Sequence, residues 1–396
     1  MGLLLDWRFG CIFWGKLLGT VAVFAQSLAA AAVVFQASGS VALVSLVTIA
    51  QFAPQLLLGP VAGAWADRGR VVRQLLLGRA LCASGATALW LTFVVAEPPD
   101  EAVPVIVFVC SLIVGVGFVV GGPAMHIIVP DLVTGEELPR AIALNTLPMT
   151  IGRVAGPALG GFSVGVWGPA STFATAAALQ LGFLILIVAA QVPTRPPGPS
   201  GDRSLRAGVA YVREHPRVLC MLWVTACVGA GAEPTLTLAP ALAADLGGQD
   251  VLGPLAASFG LGALAAFLVL SAGDRWLSSW WVAWTGLCIL VLGNAALARV
   301  GDPVVACGAF AIAGAGFAWA LTGASIVLQT ETDRAYRGRV MAWWSVAFIG
   351  SRPMASVTLG VIGDLRGVGT AFAALSAFLL VSLVILALLS WRHARR

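Results

Sequence analysis

Apolar residues gather in twelve stretches separated by short polar breaks. They lie at approximately 9–36, 41–66, 71–96, 103–129, 140–166, 168–191, 217–244, 251–272, 278–299, 303–329, 338–363 and 367–391. Each is long enough to cross a bilayer, for which a helix needs roughly 20 residues. Lipid offers no partner to a backbone N–H or C=O, so only helices or closed barrels span it. Barrel strands would be about 10 residues long and alternate in polarity. These stretches are twice that length and do not alternate, so the pattern predicts an all-α membrane protein with twelve transmembrane helices.

Composition agrees. Of the 396 residues, 59% are hydrophobic and only 10% are charged, where a soluble globular chain carries about a quarter charged. That excludes a soluble enzyme, a disordered chain and a nucleic-acid binder. The net charge of +5 says less than its placement. With the N-terminus in the cytoplasm, 18 of the 23 basic residues fall on the inner side. Only Arg299 and Arg366 fall outside, and Lys16, Arg153 and Arg352 lie within spans. Cytoplasmic loops are the ones enriched in Lys and Arg, so both termini are expected inside. The outer loops carry acids instead, among them Glu97, Asp100, Asp302 and Asp364. The first apolar stretch ends without a small-residue cleavage site and reads as a signal anchor. The seven cysteines fall inside apolar stretches without C-x-x-C spacing. They read as buried thiols, with no metal site expected.

One break divides the chain. VPTRPPGPSGDRS (192–204) is a Pro/Gly/Ser linker. In the segment after it, Leu205, Val209 and Val212 recur at helical spacing beside Arg206, Arg213 and Glu214. This is a short amphipathic helix, lying either on the inner membrane surface or in solvent. The expected organisation is a six-helix bundle at 1–191, a cytoplasmic linker at 192–216 and a second six-helix bundle at 217–396. The halves repeat each other. PRAIALNTLPMTIGR (139–153) aligns with GRVMAWWSVAFIGSR (338–352) at an offset of 199, placing Arg140 on Arg339 and Arg153 on Arg352. Asp67-Arg68 and Asp274-Arg275 each follow the second span of their half. Two pseudo-symmetric bundles around a central cavity are the architecture of transporters that rock about a midplane site.

Two motifs carry a family resemblance. GPVAGAWADRGRVVR (59–73) sets Gly63, Asp67, Arg68, Gly69, Arg70 and Arg73 between spans two and three. GRVAGPALGG (152–161) sets Gly152, Gly156, Pro157, Gly160 and Gly161 in span five. The chain resembles the major facilitator superfamily through the first motif, and that superfamily's drug/proton antiporters through the second. In the first, the turn is one residue short and Trp65 stands where Leu is common. The counterpart of the second in span eleven, RPMASVTLG (352–360), has lost most of its glycines. The SLRAGVAYVREHPRV and RGRVMAWWSVAFIG stretches are similar to the superfamily's branch of siderophore exporters and drug antiporters. The resemblance implies that Asp67 latches onto a helix N-terminus in the opposite half, with Gly63, Arg68, Arg70, Asp274 and Arg275 in the same gating sets. It also implies a functional monomer.

A charge near the bilayer centre costs at least about 2.5 kcal/mol and is functional by default. Glu233 lies about fifteen residues from the inner end of span seven, roughly 22 Å deep. Arg153 and Arg352 each lie thirteen residues past a cytoplasmic Arg, roughly 20 Å deep. Glu233 is the candidate proton carrier, with Arg153 or Arg352 as its partner; the bland alternative is a static ion pair. The two arginines either grip an anionic substrate group or steady helix kinks. Lys16, the only lysine, either faces the site or snorkels to the interface. Gln26, Phe317 and Trp319 complete the candidate substrate-binding set.

The leading expectation is a proton-coupled exporter of amphipathic small molecules, drug-like or siderophore-like, in a bacterial inner membrane. The alternative is a proton-coupled importer of a small organic anion. No phosphate-binding Gly-Lys loop is present to power a pump, no catalytic cluster suggests an enzyme, and no charged ring suggests a channel. No cofactor is expected.

Overall fold

The computed structural model describes residues 2–66, 70–133, 137–192, 205–272, 279–333 and 336–394. Among them every regular element is a helix. Eleven helical stretches are long and apolar enough to cross a membrane. One of these, Leu147–Ala189, runs for 43 residues, about 64 Å at 1.5 Å per residue and twice the roughly 30 Å hydrocarbon core. It is two spans. Gly168, at φ 79° and ψ 171°, breaks the Leu138–Ala189 helix, and Pro169 starts the next one with its φ already set. The described residues thus hold the twelve expected spans.

Boundaries follow local chemistry. The Trp7–Ser38 helix starts at Asp6, whose carboxylate accepts from Phe9 N, and stops at Gly39 in the left-handed region. Span seven, expected to run to 244, is interrupted at Leu238 between Pro216–Thr237 and Ala239–Asp245. Pro234 and Pro240 remove two N–H donors around that break. Large apolar side chains remain exposed at helical spacing, as at Leu181, Ile185 and Val188, and at Leu261, Leu264 and Leu268. An outer surface of this kind suits hydrocarbon rather than water.

The chain folds as two compact units, one of residues 1–39 and 46–200, the other of 40–45 and 201–396. Most of the linker expected at 192–204 lies outside the described residues.

In the first unit, Trp7–Ser38 packs along the first half of Leu138–Ala189. Gly152, Gly156 and Gly160 face it. A Cβ on these residues would meet Thr20 Oγ1 at 2.5 Å, Phe24 Cβ at 2.5 Å and Ala25 O at 2.5 Å respectively. Gly161 and Pro157 are buried beside them. Lipid is as apolar as leucine, so helices in it associate through such close contacts rather than through hydrophobic expulsion from water.

In the second unit, Pro216–Thr237 crosses Arg337–Arg366 at Gly229, where a Cβ would run into the Phe348 carbonyl and the Ser351 hydroxyl. The short helix Leu205–Glu214 docks on this unit, as neither expected setting required. Tyr211 is 5% exposed, stacks on Tyr336 at 4.5 Å and accepts from Asp333 N at 3.1 Å. Residues 40–45 also pack here. The Asp364 carboxylate accepts from Ser40 Oγ at 2.5 Å, Val41 N at 2.6 Å and Ala42 N at 3.1 Å. It thus satisfies two orphan donors at the start of the Val41–Ala66 helix. Ser45 Oγ donates to Ser356 O at 2.7 Å.

Two outcomes are expected. Gly229→Leu overpacks the helix crossing by about 1–3 kcal/mol or more and removes monodisperse protein from size-exclusion profiles in detergent. Asp364→Ala lowers thermal stability in detergent by about 1 kcal/mol, as loss of a helix cap does, while Ser40→Thr leaves it near wild type.

Candidate functional site

The second unit holds the one buried ion pair described at mid-span. Glu233 comes from Pro216–Thr237 and Arg352 from Arg337–Arg366. Arg352 Nη1 lies 3.2 Å from Glu233 Oε2, with the side chains 3% and 14% exposed respectively. The Gly229 crossing explains why they meet. It brings the two backbones together one turn before each charged residue. A proline follows each member directly, Pro234 and Pro353. Each removes an intrahelical hydrogen bond, so both charges sit where their helices are loosened.

Of the two expected partners for Glu233, the structure pairs it with Arg352. Arg153, in the first unit, lies 5.9 Å from the Phe24 ring centroid. An aromatic column backs the pair. The Arg352 guanidinium stands 4.2 Å over the Phe348 ring. Phe348 stacks on Trp344 at 5.4 Å and on Phe317 at 6.3 Å, and Phe317 meets Phe259 at 5.8 Å. Trp344, Phe348 and Arg352 recur every four residues and so form one stripe on their helix. Phe317 therefore belongs to the site's surroundings. Trp319 is outside the column, its Nε1 buried without an acceptor. Nearby, Thr235 Oγ1 donates to Asn294 Oδ1 at 2.7 Å, a bond between helices in a buried setting.

The first unit gathers cations instead. Lys16 Nζ donates to Asn145 O at 2.6 Å and to Asn145 Oδ1 at 2.8 Å. It ties the first span to the fifth rather than snorkelling. Gln26 is 3% exposed and its Oε1 is buried without a partner. Arg79, counted above among the cytoplasmic residues, lies inside the Val71–Leu91 helix and is 4% exposed. Its guanidinium sits between the rings of Phe118 and Phe183, 5.5 and 5.3 Å away. Ion–quadrupole attraction takes the place of an acid there.

The remaining expectations divide. Gly63 is partly buried and Arg70 exposed. Asp67, Arg68, Asp274 and Arg275 lie outside the described residues. All seven cysteines are free, but only Cys11, Cys82, Cys110 and Cys227 are buried; Cys220 and Cys307 are partly exposed and Cys288 is exposed. No cluster of metal-ligating side chains occurs among the described residues. A cleft in the first unit is lined by Val33, Gln36, Phe93, Glu97, Asp100 and Pro169, and none of the expected site residues reaches it.

Sequence reasoning missed Trp344, Phe348, Gly229, Arg79 and Gln74. Gln74 Nε2 bonds to Ala62 O and Val120 O at 2.7 and 2.9 Å. The four-residue spacing from Trp344 to Arg352 was there to be read. Arg79 was not, because near the start of the 71–96 stretch it was counted with the inner-side arginines.

The sequence pattern of the family described as transmembrane secretion effector matches residues 4–395. The chain is 28% identical over 351 residues to the enterobactin exporter EntS of Escherichia coli (strain K12), covering 85% of this chain and 81% of that one. EntS of Citrobacter koseri is also 28% identical, over 85% and 80%. Among solved structures, a bacterial homolog of the human lysosomal transporter Spinster superposes with a TM-score of 0.74 at 16% identity, covering 97% of both chains. The chain therefore belongs to the transmembrane secretion effector family of the major facilitator superfamily, and is a multi-pass membrane transporter of small molecules.

Proposed function

We propose that this transporter exports amphipathic small molecules, drug-like or siderophore-like, by proton antiport with alternating access. Glu233 carries the proton and Arg352 is its counter-ion. The observation that carries this reading is the 3.2 Å contact between two largely buried charges at a loosened helix crossing. A buried pair is costly to desolvate and is a poor source of stability. Its retention at mid-membrane fits a role in transport. Protonation of Glu233 breaks the ion pair and leaves Arg352 on the Phe348 ring that it already faces at 4.2 Å, and deprotonation restores the pair. The similarity to EntS, an exporter by name, supports the direction. The close packing of Gly152, Gly156 and Gly160 gives the antiporter motif a physical role, sealing a helix contact against proton leak. The site of action is a bacterial inner membrane, with both termini in the cytoplasm, a monomer as the working unit and Asp67 as the cytoplasmic latch.

A second reading, proton-coupled import of a small organic anion, draws on the Arg352 guanidinium. Everted vesicles separate the two. The first reading gives proton-gradient-driven accumulation inside them, and the second gives accumulation only in right-side-out vesicles.

In everted vesicles energised to an acid interior, Glu233→Gln is expected to reduce proton-driven transport at least tenfold while leaving downhill counterflow measurable. Full proton-driven transport in this variant would remove Glu233 from the mechanism. Arg352→Gln leaves a buried carboxylate alone, which costs about 3–5 kcal/mol, and its yield of folded protein should fall. The double variant Glu233→Gln/Arg352→Gln should recover that yield but not the coupling.

A further inference from the structure

The Trp344–Phe348–Arg352 stripe is made of ring faces and hydrogen-bond donors. Trp344 is partly exposed, yet its Nε1 is buried without an acceptor. Arg352 brings a planar fork suited to a carboxylate. The one acid described beside them, Glu233, is already held by that guanidinium at 3.2 Å. Other charged residues on this helix pair and the helices packed against it stand in the first or last turn of their helices, among them Arg217, Glu331, Arg337, Arg339, Asp364 and Arg366. Away from the helix ends, the titratable groups on the spans among them are the thiols Cys220, Cys227, Cys288 and Cys307. Charge at the stripe is therefore set by Glu233, Arg352 and whatever binds there.

Counting those charges fixes a linkage. The intact pair sums to zero. A ligand carboxylate that takes the Arg352 fork leaves two anions against one cation unless Glu233 acquires a proton. With the proton, the site returns to zero. In a medium of low dielectric the neutral arrangement is strongly preferred.

We propose that the Trp344–Phe348–Arg352 stripe binds a planar aromatic carboxylate, and that each such ligand is bound together with one proton taken up by Glu233. The aromatic ring stacks on Trp344. Phe348, fully buried behind it, fixes the orientation of both Trp344 and the guanidinium. The proton comes from solvent and forms the Glu233 O–H bond; no other bond changes. The inference rests on the reading of the pair as part of the translocation site, and gives the organic anion of the second reading a chemical class.

The test uses purified full-length protein in detergent, with 1-naphthoate as the probe. Calorimetry in buffers of different ionisation enthalpy gives protons exchanged per ligand. Naphthoate should bind with uptake approaching one proton, and its affinity should fall about tenfold per pH unit where Glu233 is ionised. In Glu233→Gln, naphthoate should bind with no proton exchange and no pH dependence. Trp344→Leu should weaken naphthoate at least tenfold without altering the proton number of the residual binding. Arg352→Lys, which keeps the charge, should retain uptake at reduced affinity, a readout that a purely structural loss would not give. Failure of naphthoate to bind, binding with proton release or no exchange, or unchanged affinity in Trp344→Leu would each overturn the proposal. Proton uptake with naphthoate alongside full proton-driven transport in Glu233→Gln vesicles would uphold the stripe while refuting the coupling role of Glu233.

Discussion

In hydrocarbon, a polar group can be satisfied only by another part of the protein, and a helix has no water-driven reason to leave lipid for a neighbour. The fold follows from that constraint. Helices meet where glycine lets backbones touch, at Gly152, Gly156 and Gly160 in the first unit and at Gly229 in the second. Where they touch, polar side chains from one helix reach the next. Lys16 bonds to Asn145, Thr235 to Asn294, and Arg352 to Glu233. The small residues decide which helices are neighbours. The polar residues then register them.

Span positions were legible in the sequence because hydrophobicity over 20 residues is a strong signal and loops between spans are short. Even the fusion of spans five and six by a single residue, Gly168, was recovered from its flanking apolar runs. Depth along a span was less legible. Arg79, inside the 71–96 stretch, was counted with the inner-side arginines, whereas two phenyl rings hold it buried within its helix. Those rings come from spans four and six, and no local pattern announces them. Asp364 was read as one more outer acid, although it caps a helix whose first turn lies more than 300 residues earlier in the chain.

The candidate site shows the same division. Mid-membrane charge identified Glu233, Arg153 and Arg352, because their cost in lipid is paid wherever they point. Which arginine partners Glu233 was open, since both sit at similar depth in pseudo-symmetric spans. The crossing at Gly229 selects Arg352, and a glycine among many does not reveal its contact partner in one dimension. The aromatic column lies across three helices, Phe259, Phe317 and Phe348 being remote in sequence. The prolines after Glu233 and Arg352 were visible, but their meaning depends on the two residues being neighbours.

The capping of the Val41–Ala66 helix by Asp364 also bears on biosynthesis. Val41 leaves the ribosome 323 residues before its carboxylate partner, an interval of roughly 16–65 s at 5–20 residues per second. Throughout that interval the helix start must rely on its own resources. Ser40 supplies them, its hydroxyl accepting from Leu43 N at 3.2 Å. The serine is a provisional cap, present from the moment the segment enters the membrane. The aspartate reinforces it only after nearly the whole chain has been made, so this corner of the protein matures last although it is synthesised among the first.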